Sequence, residues 1–141
     1  MGKKLAIFAR IHKDLLIRAM RPPRGKIRFQ SNRVWRTAQK EIGRIRKIYL
    51  AVIGDRKEIK YVANLIEVVF PKEDRKRGLE LERDYPGDEN KWKKAPKTYY
   101  LISNCKKLPK PIALEDLVKF SDKENLSPGY KYGYSIVYEH K

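Results

Sequence analysis

Histidine and cysteine are scarce in this sequence, and their scarcity excludes several kinds of chemistry. The chain has two histidines and a single cysteine, Cys105. It contains no CxxC or HExxH motif and no Asp/Asn-rich loop, so it offers no set of zinc or calcium ligands. The phosphate-cradling strings GxxxxGK[ST] and GxGxxG are absent, and no serine stands in a GxSxG setting. We therefore expect a protein with no metal, no cofactor and no catalytic residue.

Long hydrophobic runs are also missing. No apolar stretch approaches the roughly 18 residues that a membrane-spanning helix needs, so we expect no membrane partner. The apolar start at residues 5–8 resembles a signal peptide, but charged residues from Arg10 to Asp14 interrupt it too early. One cysteine permits no internal disulfide and fits a reducing compartment. These features predict a cytoplasmic protein, and the Lys- and Glu-rich composition is typical of thermophiles.

The charge of the chain is strongly of one sign. Its 34 basic and 17 acidic residues give a net charge of +17, and its pI is about 10. The first fifty residues hold fifteen basic and two acidic residues, a net of +13, whereas residues 51–141 have a net of +4. A charge excess concentrated in the first third of a chain favours a polyanionic partner.

The spacing of apolar residues predicts one α+β domain over residues 1–141. It predicts strands over 4–10, 26–30, 48–53, 58–69, 98–105 and 130–138, the third and fourth forming a hairpin. It predicts short helices over 12–20, 37–43 and 114–118 and a long charged loop over 71–97. Together these elements indicate a mainly antiparallel sheet, curled into a small β-barrel, with two or three short helices packed on it.

Residues 22–36 combine the two components that nucleic-acid binding needs. Positive side chains neutralise phosphates, and an aromatic face stacks on an exposed base. In the predicted strand 26–30, alternation favours a core position for Phe29 and places Lys26 and Arg28 together on the opposite, exposed face. Trp35 suits either the core or a stacking role. The candidate phosphate-binding residues are Arg24, Lys26, Arg28, Arg33 and Arg36.

The segment 31–37, read with 48–54 and 59–66, resembles the YTH pattern, in which a Ser-x-x-x-Val/Ile-Trp-x-Thr element precedes a helix and a hairpin. YTH domains belong to the PUA-like superfamily with EVE and ASCH domains, small β-barrels that bind RNA or DNA. In YTH and some EVE-type domains an aromatic cage takes up a modified base flipped out of its strand. The resemblance implies that Trp35 and Trp92 form cage walls, with Tyr85 at the third position. Asn32 or Ser31 would read the base edge. Trp92 equally suits a loop anchor packed on the barrel.

Three hypotheses follow. The first is a non-catalytic reader of a modified, for example methylated, or extruded base in DNA or RNA. Such a module would be fused to or partnered with a motor or nuclease domain, as in McrB-like restriction GTPases, and the chain would then be a domain of a longer protein. The second is an ASCH-like amidohydrolase acting on modified nucleosides, with Lys26, Thr37 and Glu67 as its candidate residues. The third is a structural RNA-binding protein without a base pocket, whose affinity would depend steeply on salt.

Overall fold

A computed structural model describes residues 4–22, 25–31, 33–55, 57–85, 97–127 and 134–140. Within these ranges the chain forms three α-helices and six β-strands. In chain order the elements are β1 (Leu5–Ile11), α1 (Lys13–Met20), β2 (Ile27–Ser31), α2 (Arg36–Lys40), β3 (Ile45–Val52), β4 (Glu58–Val69), α3 (Arg75–Asp84), β5 (Thr98–Ala113) and β6 (Tyr134–Tyr138). Short 3-10 turns occupy Ile42–Arg44 and Leu114–Asp116.

The six strands form one mixed sheet in the order β2-β5-β4-β3-β1-β6. β1 runs parallel to β3, and every other neighbouring pair is antiparallel. The predicted β3–β4 hairpin is confirmed, with Lys47 opposite Asn64 and Tyr49 opposite Val62. The α+β class is also confirmed. In the described part of the chain the sheet does not close into a barrel, since β2 and β6 remain its two edges.

Apolar residues are buried on both faces of this sheet. On the first face, strand residues such as Ile7 and Ile48 pack with Leu16 of α1 and Ala38 of α2. On the second face, Phe8, Tyr49 and Val62 form a separate cluster that the segment after β5 covers through Leu114, Leu117 and Leu126. Another part of the second face carries α3, whose Leu81 packs on Val69, Tyr99 and Leu101. Because successive strand residues point to opposite faces, β1, β3 and β5 each supply both cores.

The long loop that the sequence predicted over 71–97 is wrong for its first part, where α3 forms, and its residues 86–96 lie outside the described residues. Asp74 caps the start of α3 by accepting a hydrogen bond from the backbone N–H of Arg77 at 3.2 Å. Gly78 allows the helix to approach Pro71 closely, since a Cβ at position 78 would lie 2.9 Å from the Pro71 Cβ. The helix exposes mostly charged residues and buries little more than Gly78 and Leu81. Its apolar stripe was therefore too narrow for the sequence pattern to predict a helix.

Other elements also differ from the prediction in their bounds or type. β5 continues through Pro109 and Pro111 to Ala113, which is possible because its pairing with β2 ends at Ile102 and leaves that edge without a described neighbour. Thr37 lies inside α2 rather than capping it, and the predicted helix over 114–118 is a single 3-10 turn. Residues 130–133 of the last predicted strand lie outside the described residues.

Candidate nucleic-acid interface

Arg28 was expected on the exposed face of β2, but that face is covered by the C-terminal end of α3. The Arg28 side chain is only 5% exposed. Its Nε donates to the carbonyl oxygen of Tyr85 at 2.9 Å, and its guanidinium lies 4.4 Å from the ring centroid of Tyr99. A cation is favourable at a helix C-terminus, where the last carbonyls lack helical partners. Arg28 therefore holds α3 against the sheet instead of presenting its charge to solvent.

A concave surface of about 340 Å³ lies where the end of α1, the start of β2 and the end of α3 meet. We call it the basic groove. Its charged and polar lining residues are Arg18, Arg21, Lys26, Arg28, Asp84 and Tyr85. The groove thus brings together three predicted site residues, Lys26, Arg28 and Tyr85, and adds two arginines that the sequence did not single out.

The charges of the basic groove are unevenly compensated. Its one carboxylate, Asp84, lies 2.8 Å from the Arg83 Nε, and the hydrogen bond from Arg83 lowers the pKa of Asp84. Arg21 and Lys26 are both exposed, and neither forms an ion pair with any residue that the structure describes. The groove therefore presents two positive side chains to solvent, Arg21 and Lys26, that are not paired with its one carboxylate.

The remaining predicted phosphate-binding residues lie in different settings. Arg36 donates to both carboxylate oxygens of Glu73, at 2.9 and 2.7 Å, and lies over the ring of Phe70. The hydrogen bond from Arg36 lowers the pKa of Glu73. Arg33 is exposed, and its backbone N–H donates to the Ser31 hydroxyl at 3.2 Å. Arg24 lies outside the described residues.

Trp35 is a core residue in this structure. It is 1% exposed, and its indole is stacked between Tyr100 and Tyr134 at centroid distances of 4.3 and 4.5 Å. Its backbone N–H donates to the Thr98 hydroxyl, which in turn donates to the Arg33 carbonyl. Burial raises the pKa of Tyr134 to about 12. Both faces of the indole are covered, so no face is open to a base.

The predicted aromatic cage is not assembled by the described residues. Trp92 and Asn32 lie outside them. Tyr85 packs with the α3 cluster beside Tyr99, whereas Trp35 packs on Tyr100. Since adjacent strand residues point to opposite faces, Tyr85 and Trp35 lie on opposite sides of the sheet.

A larger concavity, of about 560 Å³, lies on the second face of the sheet and had no signal in the sequence. We call it the amide trough. Its floor includes the buried residues Tyr49, Val62 and Ile112, and its exposed rim residues are Lys47, Asn64, Asn104, Lys106, Lys110, Asp116 and His140. The Tyr49 hydroxyl accepts a hydrogen bond from the His140 backbone N–H at 3.0 Å, and burial raises its pKa.

The candidate residues of the hydrolase hypothesis are not joined to one another. The Glu67 carboxylate accepts two hydrogen bonds from Arg77, at 2.9 and 2.7 Å. Within the described ranges no hydrogen bond or ion pair links Glu67 to Lys26 or Thr37. The same residues contain no group of three or more His, Cys, Asp or Glu side chains placed to hold a metal ion. None of the described helices has the length and apolar character required to cross a membrane.

The chain matches no protein-family model, and comparison with curated proteins and with solved structures gives no significant match.

Proposed function

We propose that this protein is a non-catalytic nucleic-acid-binding domain that holds a phosphate backbone in the basic groove. The observation that carries the proposal is the exposure of Arg21 and Lys26 in one concave surface, with no carboxylate paired to either among the described residues. Clefts lined by charge of one sign concentrate ligands of the opposite sign. Neutralising phosphates also releases counterions, which supplies most of the free energy of sequence-independent binding.

Several cations in the later part of the chain are neutralised by nearby carboxylates. Lys60, Arg77 and Lys119 all lie within 4 Å of carboxylates from their own surroundings. Exposed pairs of this kind contribute little to stability, but they cancel charge locally. Several exposed cations of the first fifty residues, such as Arg21, Lys26 and Lys47, form no ion pair with a described residue. These cations add to the net charge of +13 in the first fifty residues and support a polyanion surface built by that part of the chain.

The proposal includes a PUA-like, curled form of the sheet, which the following distances support. β5 and β6 are four positions apart, which corresponds to about 19 Å in a flat sheet. Tyr100 of β5 and Tyr134 of β6 nevertheless stack on the same indole, so their ring centroids are at most about 9 Å apart. The sheet is therefore curved so that β5 and β6 approach each other around Trp35, which resembles a barrel whose gap is filled by side chains.

The proposal assigns backbone contact, not base reading, to the predicted segment 22–36. Reading a base at Trp35 requires Tyr100 or Tyr134 to leave the indole, and each aromatic pair contributes about 0.5–1.5 kcal/mol beyond its buried area. A phosphate backbone in the basic groove requires no such rearrangement. Any contact with a base must then come from another surface of the domain.

The test compares two charge reversals that change the net charge equally. We expect Lys26→Glu to weaken binding of a fluorescein-labelled oligonucleotide about tenfold, or roughly 1.4 kcal/mol, in fluorescence anisotropy. Lys57 is the matched control, since it is exposed, precedes β4 and is not among the residues that line the basic groove. We expect Lys57→Glu to bind within twofold of the wild type. Equal weakening by both variants would refute the groove as the binding surface.

A further inference from the structure

The amide trough lies between the two segments of the chain that cover the second face of the sheet. α3 covers the region of Val69, Tyr99 and Leu101, and the segment after β5 covers the region of Phe8 and Val137. Between them the strands β3, β4 and β5 present Lys47, Asn64 and Lys106 to solvent, with Asn64 opposite Lys47 in the sheet. A central part of the sheet is thus left open, and its concavity is within the size range of small-molecule sites.

The trough has an apolar floor and a polar, positively charged rim. Val62 and Ile112 are buried members of the second-face core, and Leu108 packs beside them. Three exposed lysines, Lys47, Lys106 and Lys110, line the same concavity, against one carboxylate, Asp116. None of these lysines forms an ion pair with a described residue. The combination suits a ligand with a flat apolar face and a negatively charged extension.

Two carboxamides lie on the rim, and one of them sits on an unusual backbone. Asn104 has a φ of 54°, in the left-handed region that is unfavourable for most side chains. It lies in an irregular stretch of β5, where the register with β4 shifts between Val62 and Asn64. Bulges of this kind redirect a side chain from its regular position in a strand. Asn104 thereby joins Asn64 in lining the trough.

We infer that the amide trough seats one unpaired nucleotide of a single-stranded nucleic acid. The base would lie on Val62 and Ile112, the carboxamides of Asn64 and Asn104 would bond its edge, and the lysines would contact the adjoining phosphates. A carboxamide offers a donor and an acceptor side by side, which matches the edge of a base. The inference rests on the proposed nucleic-acid binding and adds a base-contacting site to it.

The ligand must be unpaired because the floor of the trough is apolar. In a duplex the base faces are stacked on their neighbours and only the base edges are accessible. An apolar floor stabilises a ligand only through area removed from water, so it favours an exposed base face. A binder of phosphates alone would gain nothing from Val62 and Ile112.

The experiment uses fluorescence anisotropy to compare two fluorescein-labelled oligonucleotides of ten nucleotides and equal charge. One is oligothymidine, and the other is its abasic sugar-phosphate analogue. We expect the wild type to bind the strand with bases about tenfold more tightly. Asn104→Gly removes the carboxamide while keeping the backbone, because glycine adopts positive φ without strain. We expect the double variant Asn64→Ala/Asn104→Gly to bind both strands equally. Lys40→Glu, on α2 over the opposite face, is the control and should keep the preference.

The outcomes separate this inference from the proposed function. Loss of the base preference in the double variant, with retention in Lys40→Glu, supports a nucleotide in the trough. Equal binding of both strands by the wild type, with weakening by Lys26→Glu, overturns the trough site and leaves the basic groove standing. Absence of binding to either strand overturns the nucleic-acid function itself. Circular dichroism of each variant establishes that it is folded.

Discussion

Replacing Trp35 by alanine tests whether this side chain belongs to the core or to a binding surface. Truncating a fully buried tryptophan costs about 3–5 kcal/mol, and a domain of this size has a total stability of about 5–15 kcal/mol. The loss is expected near the upper end, because the indole stacks on both Tyr100 and Tyr134. Trp35→Ala should therefore lose a large fraction of the free energy of unfolding, and its Tm should fall by about 10 °C or more.

Urea denaturation followed by circular dichroism measures this loss directly. Trp35→Phe keeps an aromatic ring between the two tyrosines and should cost less than half as much. Val34→Ala is the neighbouring control, since Val34 is 43% exposed and its truncation should change stability by no more than about 0.5 kcal/mol. A Trp35→Ala variant that is as stable as Val34→Ala but selectively loses base binding would refute the core assignment and favour an accessible cage.

Three further predictions follow from packing and ionisation. Gly78→Ala should destabilise the protein by about 1–3 kcal/mol in urea denaturation, although alanine favours helices, because its Cβ would lie 2.9 Å from the Pro71 Cβ; a stabilised variant would contradict this packing. Arg28→Met should cost about 2 kcal/mol and speed amide hydrogen exchange in α3, since the Tyr85 carbonyl loses its donor; unchanged exchange would contradict the role of Arg28. Burial raises the pKa of Tyr134 above its ordinary value of 10 to about 12, so the folded state keeps the hydroxyl proton at a pH where the unfolded state loses it. The free energy of unfolding is therefore unaffected by this group below pH 10 and falls as the pH rises from 10 towards 12. Tyr134→Phe should therefore lose less stability than the wild type between pH 9 and pH 11.5, and an equal loss would argue against a buried Tyr134 hydroxyl.

Much of the fold was readable from the sequence because its strands are long and rich in β-branched and aromatic residues. The β3–β4 hairpin is confirmed with the predicted bounds of β4 at Glu58–Val69. The helix α3 was missed because its packing depends on Gly78 and Leu81, too few positions for a helical stripe. The available signal was Asp74, a favourable N-cap that stands directly before the charged run.

The candidate site was less readable, because exposure depends on tertiary contacts. The alternation of β2 predicted that Lys26 and Arg28 both face solvent. The helix α3, which the sequence did not predict, covers Arg28 and leaves Lys26 exposed. The polar surroundings of Trp35 in sequence gave no sign that the two distant tyrosines cover its indole. The amide trough combines residues of β3, β4 and β5 that share no motif, so only the register of the strands brings them together.

A salt titration of the wild-type protein tests the central claim most directly. Binding of a labelled single strand is measured by anisotropy at several KCl concentrations from about 50 to 300 mM, and the logarithm of the association constant is plotted against that of the salt concentration. Each phosphate neutralised on a single strand contributes a slope of about −0.7, so contacts from Arg21 and Lys26 predict a slope of about −1.4 or steeper. Undetectable binding at the lowest salt concentration, or a slope near zero, would contradict a nucleic-acid-binding function for this domain.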